Sequence, residues 1–289
     1  MIDLHLHTTA SDGRCSPEEL VTRAWNTGIR TMSVTDHDTM AGVKPAAAIA
    51  ARLGMALIPG IEITAVHEGK DVHVLAYFLS ESAPGLQQML TSQRQQRLGR
   101  AREIARRLDR LGAPIDVNAL VDAAAASGGK SLARPQIAQA LIAAGHVSSV
   151  PEAFDKYLGE DSPAYVPHRG ATPADVVQLV TQGGGVASLA HPGYRPKDDI
   201  IPQLVDAGLT AIEVFHSAHD GPAQAHYLSI AKRWRLVPTG GSDYHGEGTR
   251  RAEFFGVTVL PSEYLDALIA LAASTAQPPT SPFETTGAA

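Results

Sequence analysis

The chain has 289 residues, 44% of them hydrophobic, with 24 Lys and Arg against 30 Asp and Glu for a formal net charge of −6. That is enough chain to bury the core of one large α/β domain or of a barrel with an insertion. Its acidic balance excludes a general electrostatic grip on long nucleic acid while leaving room for a local basic site.

No run of about 18 apolar residues is present to span a bilayer. Neither a basic region nor a long apolar stretch opens the N-terminus, so no signal peptide is expected, and the single cysteine, Cys15, excludes an intramolecular disulfide and fits a reducing cytoplasm. Twelve histidines is a high count, and their placement carries the functional reading.

The first elements alternate. Ile2, Leu4 and Leu6 interleave with Asp3, His5 and His7, the pattern of a strand whose polar face points both histidines the same way. Ser16-Pro17-Glu18-Glu19 supplies an N-cap, a proline at the first helical position and acidic first-turn residues, and Gly28 marks that helix's end. Residues 32–36 read as a second strand, 41–53 as a helix, Met55–Thr64 as a third strand and Asp71–Leu79 as a fourth. From about Ser82 to Gly170 the pattern breaks into helices (about 85–111, 117–126 and 135–144), which predicts an inserted helical subdomain. Alternation resumes at Ala174–Gln182, Gly185–Leu189, Thr210–Phe215, Leu236–Thr239 and Phe254–Leu260. The expected organisation is therefore a parallel barrel in two parts, 1–81 and 171–273, interrupted by a cap at 82–170 and followed by a loose Pro/Thr/Ser/Ala-rich tail at 274–289.

Candidate metal ligands fall at or beside strand ends: His5 and His7, then His37, Glu62, His73, His191, Asp243 and His245, with Asp12 five residues after His7. The C-terminal strand ends of a parallel barrel converge on one face, where residues distant in sequence can meet. His, Asp and Glu suit Mn²⁺, Fe²⁺ or Zn²⁺, and nine such groups exceed the needs of one ion, which predicts two or three. Asp36 and Asp38 flank His37 and are expected to orient it.

His5-Leu-His7-Thr-x-x-Ser11-Asp12-Gly13, Thr35-Asp36-His37-Asp38, Pro59-Gly60-Ile61-Glu62, His73-Val-Leu, Ala190-His191-Pro192 and Gly241-Ser242-Asp243-x-His245 together resemble the PHP (polymerase and histidinol phosphatase) phosphoesterases. The resemblance spans residues 1 to about 260 and implies a distorted (β/α)7 barrel with a trinuclear metal centre. It places one metal on His5, His7, Glu62 and Asp243, a second on Glu62, His73 and His191, and a third on Asp12, His37 and His245. In several relatives a histidine stands at the position of Asp12, and a carboxylate there shifts preference from Zn²⁺ toward Mn²⁺ or Fe²⁺. Mn²⁺ is the expected ion.

Clustered divalent ions make hydroxide available near neutral pH and neutralise phosphoryl charge, so in-line hydrolysis of a phosphate ester is expected. Arginines should hold the phosphate. Arg94, Arg97 and Arg100 repeat at intervals of three along one helix face, Arg134 stands where a helix begins, and Arg195 follows His191 by four. Of these, Arg97, Arg100, Arg134 and Arg195 are the substrate-binding candidates. His216 and His219 follow a strand and can face the pocket, His216 as a candidate proton donor. His67, His146, His168 and His226 are expected at the surface or as caps, and Cys15 as structural.

The helical insert and the Arg134 segment resemble the nucleotide- and RNA-acting PHP subgroup. The leading expectation is a phosphatase acting on a nucleoside 3',5'-bisphosphate. A 5'→3' exoribonuclease on short RNA comes second, histidinol phosphate phosphatase third, and a non-catalytic metal-binding module last. A small nucleotide or short RNA is the expected partner, with no membrane and no obligate protein partner.

Overall fold

A computed structural model describes residues 1–126, 132, 134–194, 197–249 and 251–275. Seven strands form one sheet in sequence order: β1 (Ile2–Leu6), β2 (Thr31–Val34), β3 (Ala56–His67), β4 (Lys70–Tyr77), β5 (Val186–Leu189), β6 (Ala211–His216) and β7 (Val237–Gly241). Helices α1 (Pro17–Thr27) and α2 (Val43–Arg52) connect the first three strands. The start of α1 follows the sequence: Ser16 and Glu19 form a reciprocal capping box, and Gly28 closes the helix in the left-handed region.

The barrel is not all-parallel. β4 runs antiparallel to both β3 and β5, while the other neighbouring pairs are parallel. Its direction is set by a two-residue turn, because His67 pairs with Lys70 across Glu68 and Gly69, whose φ angles are 51° and 75°. Both central residues at positive φ define the tight hairpin turn whose twist matches the strands. The residues expected to form a strand at Phe254–Leu260 instead make a short 3₁₀ turn, Ala252–Phe254, and irregular chain. They contribute one strap to the sheet, with Leu260 N–H bonded to the Ile2 carbonyl at 3.0 Å.

β1 and β7 close the barrel through the segment after β7. Asp243 N–H donates to the His5 carbonyl (2.9 Å) and His7 N–H to the Tyr244 carbonyl (3.0 Å). Buried Asp3 accepts from Ser242 N–H (3.0 Å) and Ser242 Oγ–H (2.7 Å) across the seam. Burial raises the Asp3 carboxyl to about 6, against the opposing hydrogen bonds from Ser242 and His5.

Between β4 and β5 lie α3 (Leu86–Arg110), α4 (Val117–Ala126), α5 (Arg134–Ala143) and α6 (Val150–Ala153), followed by a π-helical turn at Phe154–Leu158. The rest of the barrel carries α7 (Pro173–Gln182), α8 (Ile201–Asp206), α9 (Gly221–Trp234) and α10 (Ser262–Thr275). Leu86 and Leu90, early in α3, pack into the barrel cluster with Ile63 and Val177. Later residues of the same helix, Ala101, Ile104 and Leu108, pack with Ile137, Leu141 and Leu158 in a second cluster. One 25-residue helix therefore anchors the helical segment to the barrel. The tail expected from Ser274 lies, beyond residue 275, outside the described residues.

Candidate metal centre and phosphate cavity

All nine sequence-predicted ligands meet at one end of the barrel. Glu62, on β3, is central: His5 Nε2 (3.2 Å), His7 Nε2 (3.3 Å) and His37 Nδ1 (3.2 Å) surround Oε2, and His73 Nδ1 (2.8 Å) and His191 Nε2 (3.0 Å) approach Oε1. Asp243 faces His7 Nε2 (3.2 Å) and His245 Nδ1 (3.4 Å). Asp12 faces His245 Nε2 (3.3 Å) and His37 Nε2 (3.9 Å). His73 reaches this end because β4 is reversed, which brings the strand's first half to the mouth beside Thr64.

The ligand atoms cluster as His7, Asp12, His37 and His245; as His5, His191 and Asp243; as His5, His7 and Glu62; and as His37, Glu62 and His73, with every atom of a cluster within 4.8 Å of the others. These groupings share residues more freely than the three separate sets implied by the resemblance. His7 joins the Asp12 set, and His37 also joins Glu62 and His73.

Charge and hydrogen bonding fit metal ions. The carboxylates beside it, Glu213 and Glu62, outweigh burial and raise the His5 ring to about 10. Burial would raise Glu62, but His37, His73 and His5 outweigh it and hold its carboxyl well below the ordinary range. Burial lowers His37 to about 4 and pushes His191 well down; His245 falls for the same reason. Deprotonated imidazole is the ligating form, so an ion at His5 would have to displace the ring proton that Glu213 and Glu62 hold there. Both ring nitrogens of His7, Nδ1 of His37 and Nδ1 of His73 are buried without a hydrogen-bond partner, although carboxylate oxygens stand close by. Buried polar nitrogens left unpaired are costly, and a divalent ion would complete them.

Glu213, which sequence reasoning did not single out, accepts a hydrogen bond from His5 Nδ1–H at 2.9 Å and so presents Nε2 to the cluster. A glutamate among the apolar residues Ala211, Ile212, Val214 and Phe215 of β6 was the available signal. His5 outweighs burial and lowers the Glu213 carboxyl to about 2.

His216 has a different place from the one expected. It is 1% exposed, and its Nδ1 accepts the Ala218 N–H at 3.1 Å. Its proton therefore sits on Nε2 and is donated to Asp243 Oδ2 at 3.2 Å, which makes His216 a support for Asp243 rather than a proton donor at the mouth. His219 is likewise turned inward, with Nδ1–H donated to the Val214 carbonyl (2.8 Å) and Nε2 accepting the Gly193 N–H (3.1 Å). His168, expected at the surface, is buried against Asp71 Oδ1 at 2.6 Å. Asp36 accepts from Thr8 N–H and Ser11 Oγ–H, each at 2.7 Å, and so fixes the loop after His7.

A cavity of about 450 Å³ opens from Asp12, His37 and His73 to Arg97, Arg100 and Arg134 on the helical segment. Arg97 is paired with Asp38, Arg100 Nε–H donates to the Val166 carbonyl (2.8 Å), and Arg134 donates to the Leu158 carbonyl (3.2 Å). Each guanidinium keeps further N–H groups for a ligand. Arg94, on the same helix, is exposed. Arg195 lies outside the described residues. Arg251, for which the sequence offered no signal, pairs with Asp243 and lies 5.6 Å from the Tyr194 ring centroid.

A family profile described as "PHP domain" matches residues 3–133. The 5'-3' exoribonuclease Rnm of Escherichia coli is 34% identical over 84% of this chain and 84% of its own length. A phosphoribosyl 1,2-cyclic phosphate 1,2-diphosphodiesterase of Eggerthella lenta is 34% identical over 85% of this chain and 94% of its own. A 3',5'-nucleoside bisphosphate phosphatase of Chromobacterium violaceum is 33% identical over 86% and 89%. Among solved structures, a metal-dependent phosphoesterase from Bifidobacterium adolescentis superposes with a TM-score of 0.80 at 31% identity, covering 93% of this chain and 96% of that one.

Proposed function

The chain belongs to the PHP family of metal-dependent phosphoesterases, and from that premise we propose that it removes a terminal phosphate monoester from a small nucleotide, a nucleoside 3',5'-bisphosphate. One observation carries the substrate reading: Arg97, Arg100 and Arg134 face the ligand cluster across a single cavity of about 450 Å³. A substrate with two phosphates satisfies both walls, one phosphate at the cluster and the other at the arginines. Ala101, Ile104, Leu132 and Ile137 supply apolar lining of the same cavity.

His5, His7, Asp12, His37, Glu62, His73, His191, Asp243 and His245 would hold the metals, up to three, with Mn²⁺ preferred. Bound divalent ions would polarise phosphoryl oxygens and lower the pKa of a water. The protein's own part is orientation: Glu213 fixes the His5 ring, His216 fixes Asp243, and Asp36 fixes the loop bearing Asp12. Arg97, Arg100 and Arg134 bind the non-reacting phosphate and so align the reacting one.

A 5'→3' exoribonuclease activity is the second reading, supported by a further cavity of about 670 Å³ that continues past Asp71, Arg134 and Phe154 and gives room for another nucleotide. Mn²⁺-loaded protein offered adenosine 3',5'-bisphosphate and a short 5'-phosphorylated RNA, with products identified by mass, separates the two. Phosphate released from the bisphosphate with the RNA nearly untouched is expected. Stepwise release of mononucleotides from the RNA, with the bisphosphate intact, would overturn the leading reading.

A further inference from the structure

The cavity beyond the arginines differs in chemistry from the one that holds them. It shares Asp71, Arg134 and Phe154 with the phosphate cavity and continues to Lys70, Glu160 and Tyr194. Its charged lining is mixed: Lys70, Lys197 and Arg134 stand against Glu68, Asp71, Glu160 and Asp199. A second polyanion gains little from such a wall. Two aromatic rings border the same space from opposite parts of the fold. Phe154 opens the π-helical turn Phe154–Leu158 of the helical segment, and Tyr194 ends the short turn that follows His191 on the barrel. Tyr194 is 46% exposed, unusual for so large a ring, and Phe154 is half-buried. Arg134 lies 5.5 Å from the Phe154 centroid, on the boundary between the two cavities. π-Helical turns recur at functional sites, and here the turn carries an aromatic ring to the junction of both spaces.

We propose that this cavity is a nucleobase subsite, with Phe154 and Tyr194 as its aromatic walls and Arg134 as the divider that keeps phosphates on the metal side. Base stacking on aromatic side chains tolerates any base and suits a wall of mixed charge with one more carboxylate than cations. The inference rests on the nucleotide reading above and deepens it. The base can belong to the nucleotide whose phosphate sits at the cluster or to the next nucleotide of a short RNA, and the two sources share this chemistry.

Calorimetric titration of Mn²⁺-loaded protein with adenosine 5'-monophosphate, ribose 5-phosphate and the dinucleotide 5'-pApA, its internucleotide link made as a non-hydrolysable methylenephosphonate, tests it without relying on turnover. Phe154→Leu and Tyr194→Ser are compared with the parent chain; Tyr194, half exposed, can be changed without disturbing the core. Both variants are expected to weaken a base-bearing ligand on the order of tenfold and to weaken ribose 5-phosphate distinctly less, the residual effect passing through Arg134 or Arg251. A loss confined to 5'-pApA assigns the subsite to the second nucleotide, and a loss already present with the monophosphate assigns it to the first. Equal binding of base-bearing and baseless ligands by the parent chain, or equal losses for both in the variants, would overturn the proposal. Failure of the parent chain to hydrolyse any nucleotide would count against the function above, and the binding comparison would still decide the subsite.

Discussion

Glu62 shows how much one residue organises here. Five imidazoles reach its two oxygens within 3.3 Å, from β1 and the residue that follows it, the loop after β2, β4 and the loop after β5. Such crowding of nitrogens around a single buried carboxylate is difficult to satisfy with protons alone, and it accounts for ring nitrogens left without hydrogen bonds. Asp243 is similarly placed between His7 and His245, with His216 behind it. Asp243→Asn should cut hydrolysis by more than the roughly 10- to 100-fold lost with an outer-shell partner. Metal content by mass spectrometry should fall with it, while the unfolding midpoint of the metal-free chain changes little. Glu213→Gln tests the support instead: a loss of about 10- to 100-fold in metal affinity or rate is expected. Unchanged affinity would show that the His5–Glu213 hydrogen bond orients nothing of consequence. Arg134→Ala should raise KM on the order of tenfold, as loss of a charge-assisted hydrogen bond does, with metal content at the parent level.

At the scale of elements, the sequence conveyed the convergence of the candidate ligands better than the strand directions. His5 and His7 alternate with Leu4 and Leu6, and Asp243 and His245 follow a strand that ends in Gly240-Gly241, so their clustering was readable from periodicity. The reversal of β4 was not, because an apolar alternating run has no direction written in it. The one local signal was the Glu68-Gly69 dipeptide between two such runs, weaker than Asn-Gly because a glutamate rarely adopts positive φ. Arg251 and Tyr194 were invisible for a different reason: only the tertiary fold brings them to the mouth. The seam between β1 and β7 supplies an element-scale prediction. A Cβ at Gly241 would press on the His5 backbone nitrogen and come within 2.6 Å of Asp3 Oδ1. Gly241→Ala should therefore lower stability by about 1–3 kcal/mol. A shift of the urea midpoint at constant slope would register it, and an unchanged midpoint would show that the seam is free to widen.

Across the whole molecule, the barrel and the helical segment divide the work. The barrel supplies every candidate metal ligand, and the helical segment supplies the three arginines, joined to it by α3 and by the Gln93 side-chain bond to the Thr64 carbonyl at 2.8 Å. No helix among the described residues is long and apolar enough to cross a membrane. Because the ligand cluster is buried and under-bonded, ions that bind only the folded chain should stabilise it, by about 2.7 kcal/mol per site at 100 times Kd. Chelation should accordingly lower Tm by several degrees and Mn²⁺ should restore it; a Tm indifferent to chelation would mean that the cluster is satisfied without metal.

The most direct test is a titration of chelator-stripped protein with Mn²⁺, counting bound ions per chain while following phosphate release from adenosine 3',5'-bisphosphate. Release should be absent in the stripped protein and rise to a plateau as two to three ions are taken up. Full uptake of metal with no hydrolysis of this or any other phosphoester would contradict the account and leave a metal-binding module in place of an enzyme.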